Sequence, residues 1–385
     1  MRKQLNYFFR RFLNKRYRLN GQVRGFTLLE LLIASVIGVL IVGTMMTFVF
    51  SVADTDRQEQ AKSTSQEEIQ AALDYIADDM REAVYIYDAD GLNPLASNPS
   101  GIGNSLPVVT NGVPVLVFWK RYIYKSTDTV VTLDGSRAVS CVPYSLTIAP
   151  LGTPSANCFG GDLFSYSIVA YYLVKNNATP SATQPWSNAA RIVRFELKDG
   201  ISTSSSAYAC SVNCPTTQVV NGTIYYKVPD TGFARFSLGA GVLSAQMNGW
   251  ATVPPGWDAG SGVTLVDFID DTTFGATPYT PPVLIGNNTV VVGAPSTNVD
   301  CNSDNGVGSN TTTSQRVPGT FTATSLTSFY VCVNSGSSTA RIYMRGNALV
   351  RLNDNRSIKF PTANNTPFLP TANVRVFGRG VLIPG

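Results

Sequence analysis

The sequence predicts an α+β fold, in which one long N-terminal helix precedes a head built on an antiparallel β-sheet. The helix is predicted by 23 consecutive residues without a charge, from Leu31 to Ala53. At about 1.5 Å per residue this run forms a helix of roughly 35 Å, which is long enough to cross a bilayer core of about 30 Å. The sheet is predicted by short runs of β-branched and aromatic residues that begin after Pro107 and are separated by turn residues.

The charge distribution orients the apolar run. Residues 1–25 contain eight basic side chains and no acid, and without them the chain keeps 21 basic and 25 acidic side chains. An excess of Arg and Lys marks the cytoplasmic side of a membrane helix. We therefore expect a single-pass protein of the cytoplasmic membrane, with a transmembrane helix over residues 26–53 and an exported C-terminal part.

A second helical segment is expected directly after the first, over residues 54–90. Its eleven acids outnumber its three basic residues, which indicates a solvated face. Its apolar residues recur at spacings of four, three, four and four, so they share one helical stripe. Packing of the stripe on the head explains it without any further function. The stripe consists of Ile69, Leu73, Ile76, Met80 and Val84.

The remaining residues, 91–385, are expected to form a β-rich globular head. Two runs with strand composition, Ser165–Val174 and Arg191–Leu197, are expected to pair across the loop between them. Residues 200–340 are dominated by Ser, Thr, Asn, Gly and Pro. They form either a second subdomain or long insertions into one sheet.

All six cysteines follow the apolar run, in the part that we expect to be exported. An even number of cysteines in an oxidising compartment indicates a disulfide framework, although six cysteines allow fifteen pairings. Pairing of neighbours in the sequence is favoured because each pair brackets a loop rich in Gly, Ser or Asn. A metal site built from the thiols is disfavoured, since the chain has no histidine. The expected pairs are Cys141–Cys158, Cys210–Cys214 and Cys301–Cys332.

The sequence does not favour an enzyme. Without histidine there is neither a Ser-His-Asp triad nor a Cys-His pair. The chain also has no Gly-rich phosphate loop ending in Lys-Ser/Thr, and no Gly-x-Ser-x-Gly turn. The adjacent acids Asp78 and Asp79 are expected to lie on the solvated face of the second helical segment, where carboxylates are common without catalysis.

One segment resembles a calcium loop. Asp300, Asn302 and Asp304 alternate ahead of a glycine, as ligands do in an EF-hand. The match fails where an EF-hand needs glycine and a bidentate glutamate, because the chain has Asn305 and Thr311 there. We expect no cofactor, and calcium at these residues stays an alternative to a turn stabilised by Asx hydrogen bonds.

The C-terminal residues 341–385 are basic, with seven Arg or Lys side chains and one acid. Strand alternation places Arg341 and Arg345 on one face of a strand, and Arg375 and Arg379 on one face of another. Basic side chains interleaved with aromatic ones bind polyanions, such as an acidic polysaccharide or DNA. The alternative is that these strands pack against the acidic helical segment of the same subunit or of a neighbour.

The junction in front of the apolar run, Arg-Gly-Phe-Thr-Leu-Leu-Glu over residues 24–30, resembles a type IV prepilin signal. The resemblance implies that a prepilin peptidase cleaves after Gly25 and that the new amine of Phe26 is N-methylated. It also implies that Glu30 meets this amine on a neighbouring subunit during assembly. An ordinary secretory signal or an uncleaved anchor explains the charge and the apolar run but not Glu30, and a carboxylate near a membrane helix end is costly and usually functional.

The order of a long helix and then a sheet, with the segment 75–83 and the Phe118-Trp119 and Tyr171-Tyr172 strands, is similar to PilW-like minor pilins and to the J-class pseudopilins of type II secretion. This implies a pilin-like fold, partnership with other pilins on an inner-membrane assembly platform, and a periplasmic head in a pilus or pseudopilus. Major pilins commonly have a proline within the apolar helix. This chain has none, which favours a minor subunit.

Residues 345–352, together with the 374–382 strand, resemble pseudopilins of a cyanobacterial hormogonium system that secretes polysaccharide for gliding motility. The resemblance implies a subunit that supports polysaccharide secretion, for which the basic C-terminal residues would suit an acidic polysaccharide. The alternative function is a type IV pilus tip subunit that binds DNA or surfaces.

Overall fold

A computed structural model describes residues 25–92, 101–124, 130–131, 138–139, 163–176, 186–203, 218–220, 223–237, 239, 241–273, 283–284, 290–291, 301, 314–319, 324–352 and 368–379. Several predictions lie outside these residues: the leader before Gly25, the pairs Cys141–Cys158 and Cys210–Cys214, and the calcium candidates Asp300, Asn302 and Asp304. The chain divides into two compact units, one up to Arg57 and one from Gln58 onward.

The described residues have the predicted α+β architecture, with one long apolar N-terminal helix, antiparallel sheets and a disulfide. Two short 3-10 helices span Ile102–Ser105 and Ala259–Ser261. The α-helices are α1 (Leu28–Arg81), α2 (Ala89–Leu92), α3 (Leu243–Asn248) and α4 (Leu349–Leu352). The strands are β1 (Ala83–Ile86), β2 (Gly112–Tyr124), β3 (Val130–Val131), β4 (Ala138–Val139), β5 (Leu163–Lys175), β6 (Ala190–Lys198), β7 (Ile201–Thr203), β8 (Gln218–Val220), β9 (Thr223–Lys227), β10 (Val263–Ile269), β11 (Val283–Leu284), β12 (Val290–Val291), β13 (Gln315–Val317), β14 (Phe329–Asn334), β15 (Thr339–Arg345) and β16 (Thr371–Phe377).

Helix α1 is 54 residues long and differs in burial along its length. From Gly25 to Arg57 every residue is exposed except Gly38, which is half-buried. Among the described residues it is the one helix long and apolar enough to span a membrane. In the second unit, the predicted apolar stripe is buried. Ile69, Leu73, Ile76 and Met80 are each at most 1 % exposed.

The prediction that the helix extends to residue 90 is wrong, because α1 ends at Arg81 and Val84 lies in strand β1. Residues 84–87 are Val-Tyr-Ile-Tyr, and such β-branched and aromatic side chains favour strands. Strand β1 pairs with β2 in an antiparallel register that places Ile86 opposite Phe118. Sheet pairing therefore overrides the helical spacing of Val84.

The first sheet has five antiparallel strands in the order β1-β2-β5-β6-β10. Its centre is the predicted pair of runs, now β5 and β6, in which Ile168 lies opposite Leu197. Helix α1 lies against one face. The opposite face carries Trp119, whose ring meets those of Phe233 and Trp250 edge to face, with centroids 5.9 Å and 5.3 Å away. The central strands are thus buried on both sides.

The second sheet has four antiparallel strands in the order β13-β14-β15-β16. Cys332 of β14 forms the predicted disulfide with Cys301. Strand β16 is an edge strand among the described residues. The inner faces of both sheets and the stripe of α1 share one hydrophobic core. The remaining strands form three small sheets, β3-β4, β7-β9-β8 and β11-β12.

Candidate functional site

The exposed N-terminal end of α1 holds the predicted processing and assembly residues. Phe26 is 81 % exposed, and Thr27 precedes the first helical residue. The backbone N–H of Glu30 donates to Oγ1 of Thr27 at 3.3 Å, and this hydroxyl lies 3.5 Å from Oε2 of Glu30. The Thr-x-x-Glu spacing is that of a capping box, in which Thr27 satisfies one orphan donor of the helix and the Glu30 carboxylate lies against the Thr27 hydroxyl. Sequence reasoning missed this local role of Glu30, although the spacing signals it.

Where α1 packs on the first sheet, the Asp79 carboxylate accepts hydrogen bonds from three donors. Nζ of Lys120 lies 2.6 Å from Oδ1 of Asp79. The hydroxyl of Tyr171 and Nε of Arg194 donate to Oδ2 of Asp79 at 2.7 Å and 2.8 Å. The Asp79 side chain is only 6 % exposed. The four residues come from α1, β2, β5 and β6, so the cluster connects the helix to the three central strands.

A second carboxylate completes this buried cluster. Oε2 of Glu196 accepts from Nη1 of Arg194 at 3.0 Å, and Oε1 accepts from Oγ of Ser167 at 3.0 Å. Nζ of Lys120 is 3.7 Å from Oε1 of Glu196. Nζ of Lys198 is 3.6 Å from Oε2 of Glu196, so the two acids face three bases. A buried ion cluster is tolerable when its charges are compensated and hydrogen-bonded in this way.

The electrostatics of the cluster favour fixed charges over proton transfer. Burial raises the pKa of Asp79, but Arg194 and Lys120 more than offset this, and the net pKa lies below its ordinary value. Burial lowers the pKa of Lys120, but Asp79 and Glu196 together more than offset this, and the net pKa is raised. Both groups therefore stay ionised near neutral pH. These ion pairs and hydrogen bonds fix α1 to the sheet.

The prediction that both acids at 78 and 79 are solvated is wrong for one of them. Asp78 is exposed and pairs with Arg81, whereas Asp79 is buried. The missed signal lies in the strands. Lys120 directly follows the apolar run 115–119, and Arg194 lies between apolar residues of β6, so both charges fall in strands that the sequence predicts to be central. A charge in a buried strand requires a partner.

No protein-family model matches this chain, and neither a curated protein nor a solved structure matches it. Within the described residues, no group of three or more His, Cys, Asp or Glu side chains is arranged to hold a metal ion.

The structure separates the four C-terminal arginines that the sequence grouped together. Arg345 is buried, and its Nε donates to Oδ2 of Asp270 at 2.8 Å. It therefore cannot contact a polyanion. Arg375 and Arg379 are exposed, and Arg341 is half-buried. In the sheet Arg341 lies directly opposite Arg375.

One basic C-terminal residue packs on the acidic helix of the same chain, as the alternative predicted. Nη2 of Arg351 forms an ion pair with Glu68 on α1. Arg379 also contacts the helix, but through its backbone N–H, which donates to the carbonyl of Arg81 at 3.1 Å. Among the described residues, the side chains of Arg375 and Arg379 form no ion pair.

Proposed function

We propose that this chain is a minor pilin or pseudopilin, processed after Gly25 and assembled through α1 into a periplasmic pilus or pseudopilus that supports secretion. The observation that carries the proposal is the division of α1. Its first part is exposed, apolar and headed by Glu30, and its second part is fixed to a folded head. A subunit that is held first in a membrane and then in a filament needs both parts.

The exposed part of α1 requires an apolar environment. Leu28, Val39 and Phe48 are 86 %, 72 % and 70 % exposed, and they belong to a continuous apolar surface. Soluble monomers rarely expose so large an apolar surface, because each Å² costs about 25 cal/mol in water. Lipid tails and neighbouring apolar helices both remove this cost. Exchange of one environment for the other allows a subunit to leave the membrane without exposing the helix to water.

The fixed part of α1 explains how the head follows the helix. Asp79 anchors α1 to strands β2, β5 and β6 by contacts of 2.6–2.8 Å. The apolar stripe that ends at Met80 adds a buried hydrophobic contact. A force applied along the helix is therefore carried into the sheet. This fits a subunit that an inner-membrane platform extracts by its helix, after a prepilin peptidase has removed the leader.

We further propose that the filament supports secretion of polysaccharide for gliding motility, on the resemblance of residues 345–352 and 374–382 to pseudopilins of such a system. A pilus tip subunit that binds DNA or surfaces is the second candidate. It is favoured by the exposure of Arg375 and Phe377 on the edge strand β16 and of Arg379 just beyond its end. Acidic polysaccharide and DNA are both polyanions, so the exposed charges alone do not choose between the two functions.

The proposal is tested first by the N-terminus of the chain in its own cells. Mass spectrometry of the full chain is expected to find the leader removed after Gly25 and a methyl group on the amine of Phe26. Cells without prepilin peptidase should retain the leader. Cleavage after the apolar run, or none in cells that have the peptidase, would contradict the proposal.

A clean deletion, scored in parallel for surface pili and for released polysaccharide, distinguishes the two candidates. Loss of polysaccharide with intact pili indicates a dedicated secretion pseudopilin. Loss of pili indicates a minor pilin of the pilus itself, and any polysaccharide defect is then secondary.

A further inference from the structure

The outward face of strands β15 and β16 carries Arg341, Arg375 and Phe377, and the exposed Arg379 follows two residues after the end of β16. We call these four residues the basic surface. Strand pairing places Arg341 directly opposite Arg375. Nε and Nη2 of Arg341 donate to Oδ1 of Asn373 at 3.2 Å and 3.1 Å, which fixes its guanidinium. The guanidinium of Arg375 lies 5.1 Å from the ring centroid of Phe377, which is 53 % exposed. Arg375 and Arg379 are exposed and form no ion pair among the described residues, so this surface favours a negative partner.

The exposed side of α1 forms a complementary acidic surface, which consists of Glu67 and Asp74. They are seven residues apart, which is two helical turns, and therefore share one face. Glu67 accepts a hydrogen bond from Ser63 at 3.0 Å, and Asp74 accepts one from Gln70 at 3.1 Å. Neither carboxylate forms an ion pair within the part of the chain that the structure describes. Their neighbour Glu68, in contrast, is paired with Arg351 of the same chain.

The two surfaces occupy different positions along the helix. The backbone contact of Arg379 with Arg81 places the basic surface at the C-terminal end of α1. At about 1.5 Å per residue, Asp74 and Glu67 lie roughly 10 Å and 21 Å back along the helix axis. Two different patches that attract each other form a heterologous contact between copies. Contacts of this kind, when the rotation does not close a ring, repeat into open filaments.

We propose that the basic surface of one copy docks on the acidic surface of a second copy, head to tail along the filament. This inference rests on the proposed function and specifies which surfaces of the head join neighbouring subunits. A second copy fits better than a nucleic acid or a polysaccharide because the chain itself supplies the opposite charge, already exposed and fixed on a helix. The contact uses Arg375 and Arg379 on one side and Glu67 and Asp74 on the other.

The experiment is a photocrosslink in the full chain, expressed in its own cells, with a photoreactive phenylalanine analogue at position 377. The expected product is an adduct of two copies, in which mass spectrometry maps the second copy to residues 63–78. The double variant Arg375→Gln/Arg379→Gln is expected to lower the adduct about three- to tenfold, since exposed ion pairs are individually weak. Raising the salt to 1 M should also lower it, because the Debye length falls to about 3 Å.

Two controls separate the contact from general effects of charge and folding. Val108→Glu/Val263→Glu changes the net charge by the same amount at side chains that are 90 % and 68 % exposed, and should leave the yield unchanged. Arg375→Lys/Arg379→Lys retains the charge and should retain most of the adduct. An adduct with polysaccharide, with DNA or with another protein overturns the inference, as does a copy–copy adduct that the Gln variant does not reduce.

Processing of the N-terminus and incorporation into sheared filaments are measured in the same cells. A chain that is processed and incorporated but yields no copy–copy adduct overturns this inference alone and leaves the proposed function standing. A chain that is not processed overturns the proposed function and the inference with it.

Discussion

Arg345 and Asp270 form a buried ion pair that joins the two larger sheets of the head. Nη2 of Arg345 lies 2.8 Å from Oδ2 of Asp270, and their side chains are 2 % and 0 % exposed. The backbone N–H of Asp270 also donates to the carbonyl of Arg345 at 3.1 Å. Arg345 ends β15 and Asp270 directly follows β10, so these contacts fix the edge of the first sheet to the second.

The first prediction concerns this pair. Arg345→Met or Asp270→Asn alone is expected to lower the free energy of unfolding by about 3–5 kcal/mol, because each leaves an uncompensated buried charge. The double variant should cost less than the sum of the single variants, since neither charge then remains. Thermal unfolding in detergent gives the free energy of unfolding of the wild-type chain, the two single variants and the double variant. Additive costs would show that the two residues do not act as a pair.

The second prediction compares two adjacent acids. Asp79→Asn is expected to destabilise the protein by about 3–5 kcal/mol, because Lys120 and Arg194 lose their shared partner. Asp78→Asn is the matched control. It removes an exposed pair with Arg81, which contributes at most about 1 kcal/mol. If the two substitutions lower the free energy of unfolding by similar amounts, Asp79 does not fix the helix to the sheet.

The third prediction follows from the pKa of Asp79. A carboxyl whose pKa is lower in the folded than in the unfolded chain stabilises the fold above its unfolded pKa, and this stability is lost as the pH falls through the folded pKa. Glu196 has a lowered pKa as well, since Arg194 and Lys120 more than offset its burial. We therefore expect the stability that Asp79 and Glu196 contribute to fall below about pH 4, where unfolded carboxyls bind protons.

Asp79→Asn should reduce the slope of stability against pH in this acid range, and the remaining slope should include the contribution of Glu196. Urea unfolding at several pH values checks this. An unchanged slope in Asp79→Asn would mean that Asp79 binds protons equally in the folded and unfolded chain.

The sequence predicts local features of this fold well and long-range partners poorly. The stripe from Ile69 to Met80 follows from helical spacing alone, and each of its residues is buried as predicted. Strand alternation, in contrast, places Arg345 with Arg341 but gives no information on burial. Arg345 is buried because Asp270, 75 residues away in the chain, lies at the same edge. Such contacts depend on topology, which spacing does not encode.

The fourth prediction concerns the close approach of the helix to the second sheet at Gly346. A Cβ atom at this position would lie 2.7 Å from Oγ of Ser65 and 3.2 Å from Cγ2 of Ile69. Gly346→Ala is therefore expected to cost about 1–3 kcal/mol through overpacking. Gly336→Ala is the control, because its nearest atom would be 3.5 Å away. Thermal unfolding measures both.

The double variant Ser65→Ala/Gly346→Ala tests the cause of that cost. It removes the closest clashing atom, so it should recover part of the stability that Gly346→Ala loses. If the double variant is no more stable than Gly346→Ala, the contact with Ser65 does not limit the approach of the helix.

The fifth prediction separates two roles of Glu30, the cap of α1 and the assembly charge of the proposed filament. Glu30→Ala is expected to leave cleavage after Gly25 largely intact and to reduce incorporation into filaments. Glu30→Gln keeps a side-chain acceptor at the third helical position, where Gln also suits a capping box, but it removes the charge. If the charge meets the amine of a neighbouring Phe26, Gln should fail as Ala does. Incorporation of Glu30→Gln at the wild-type level would instead show that Glu30 acts in capping alone. Normal assembly of Glu30→Ala would show that assembly requires neither role of Glu30.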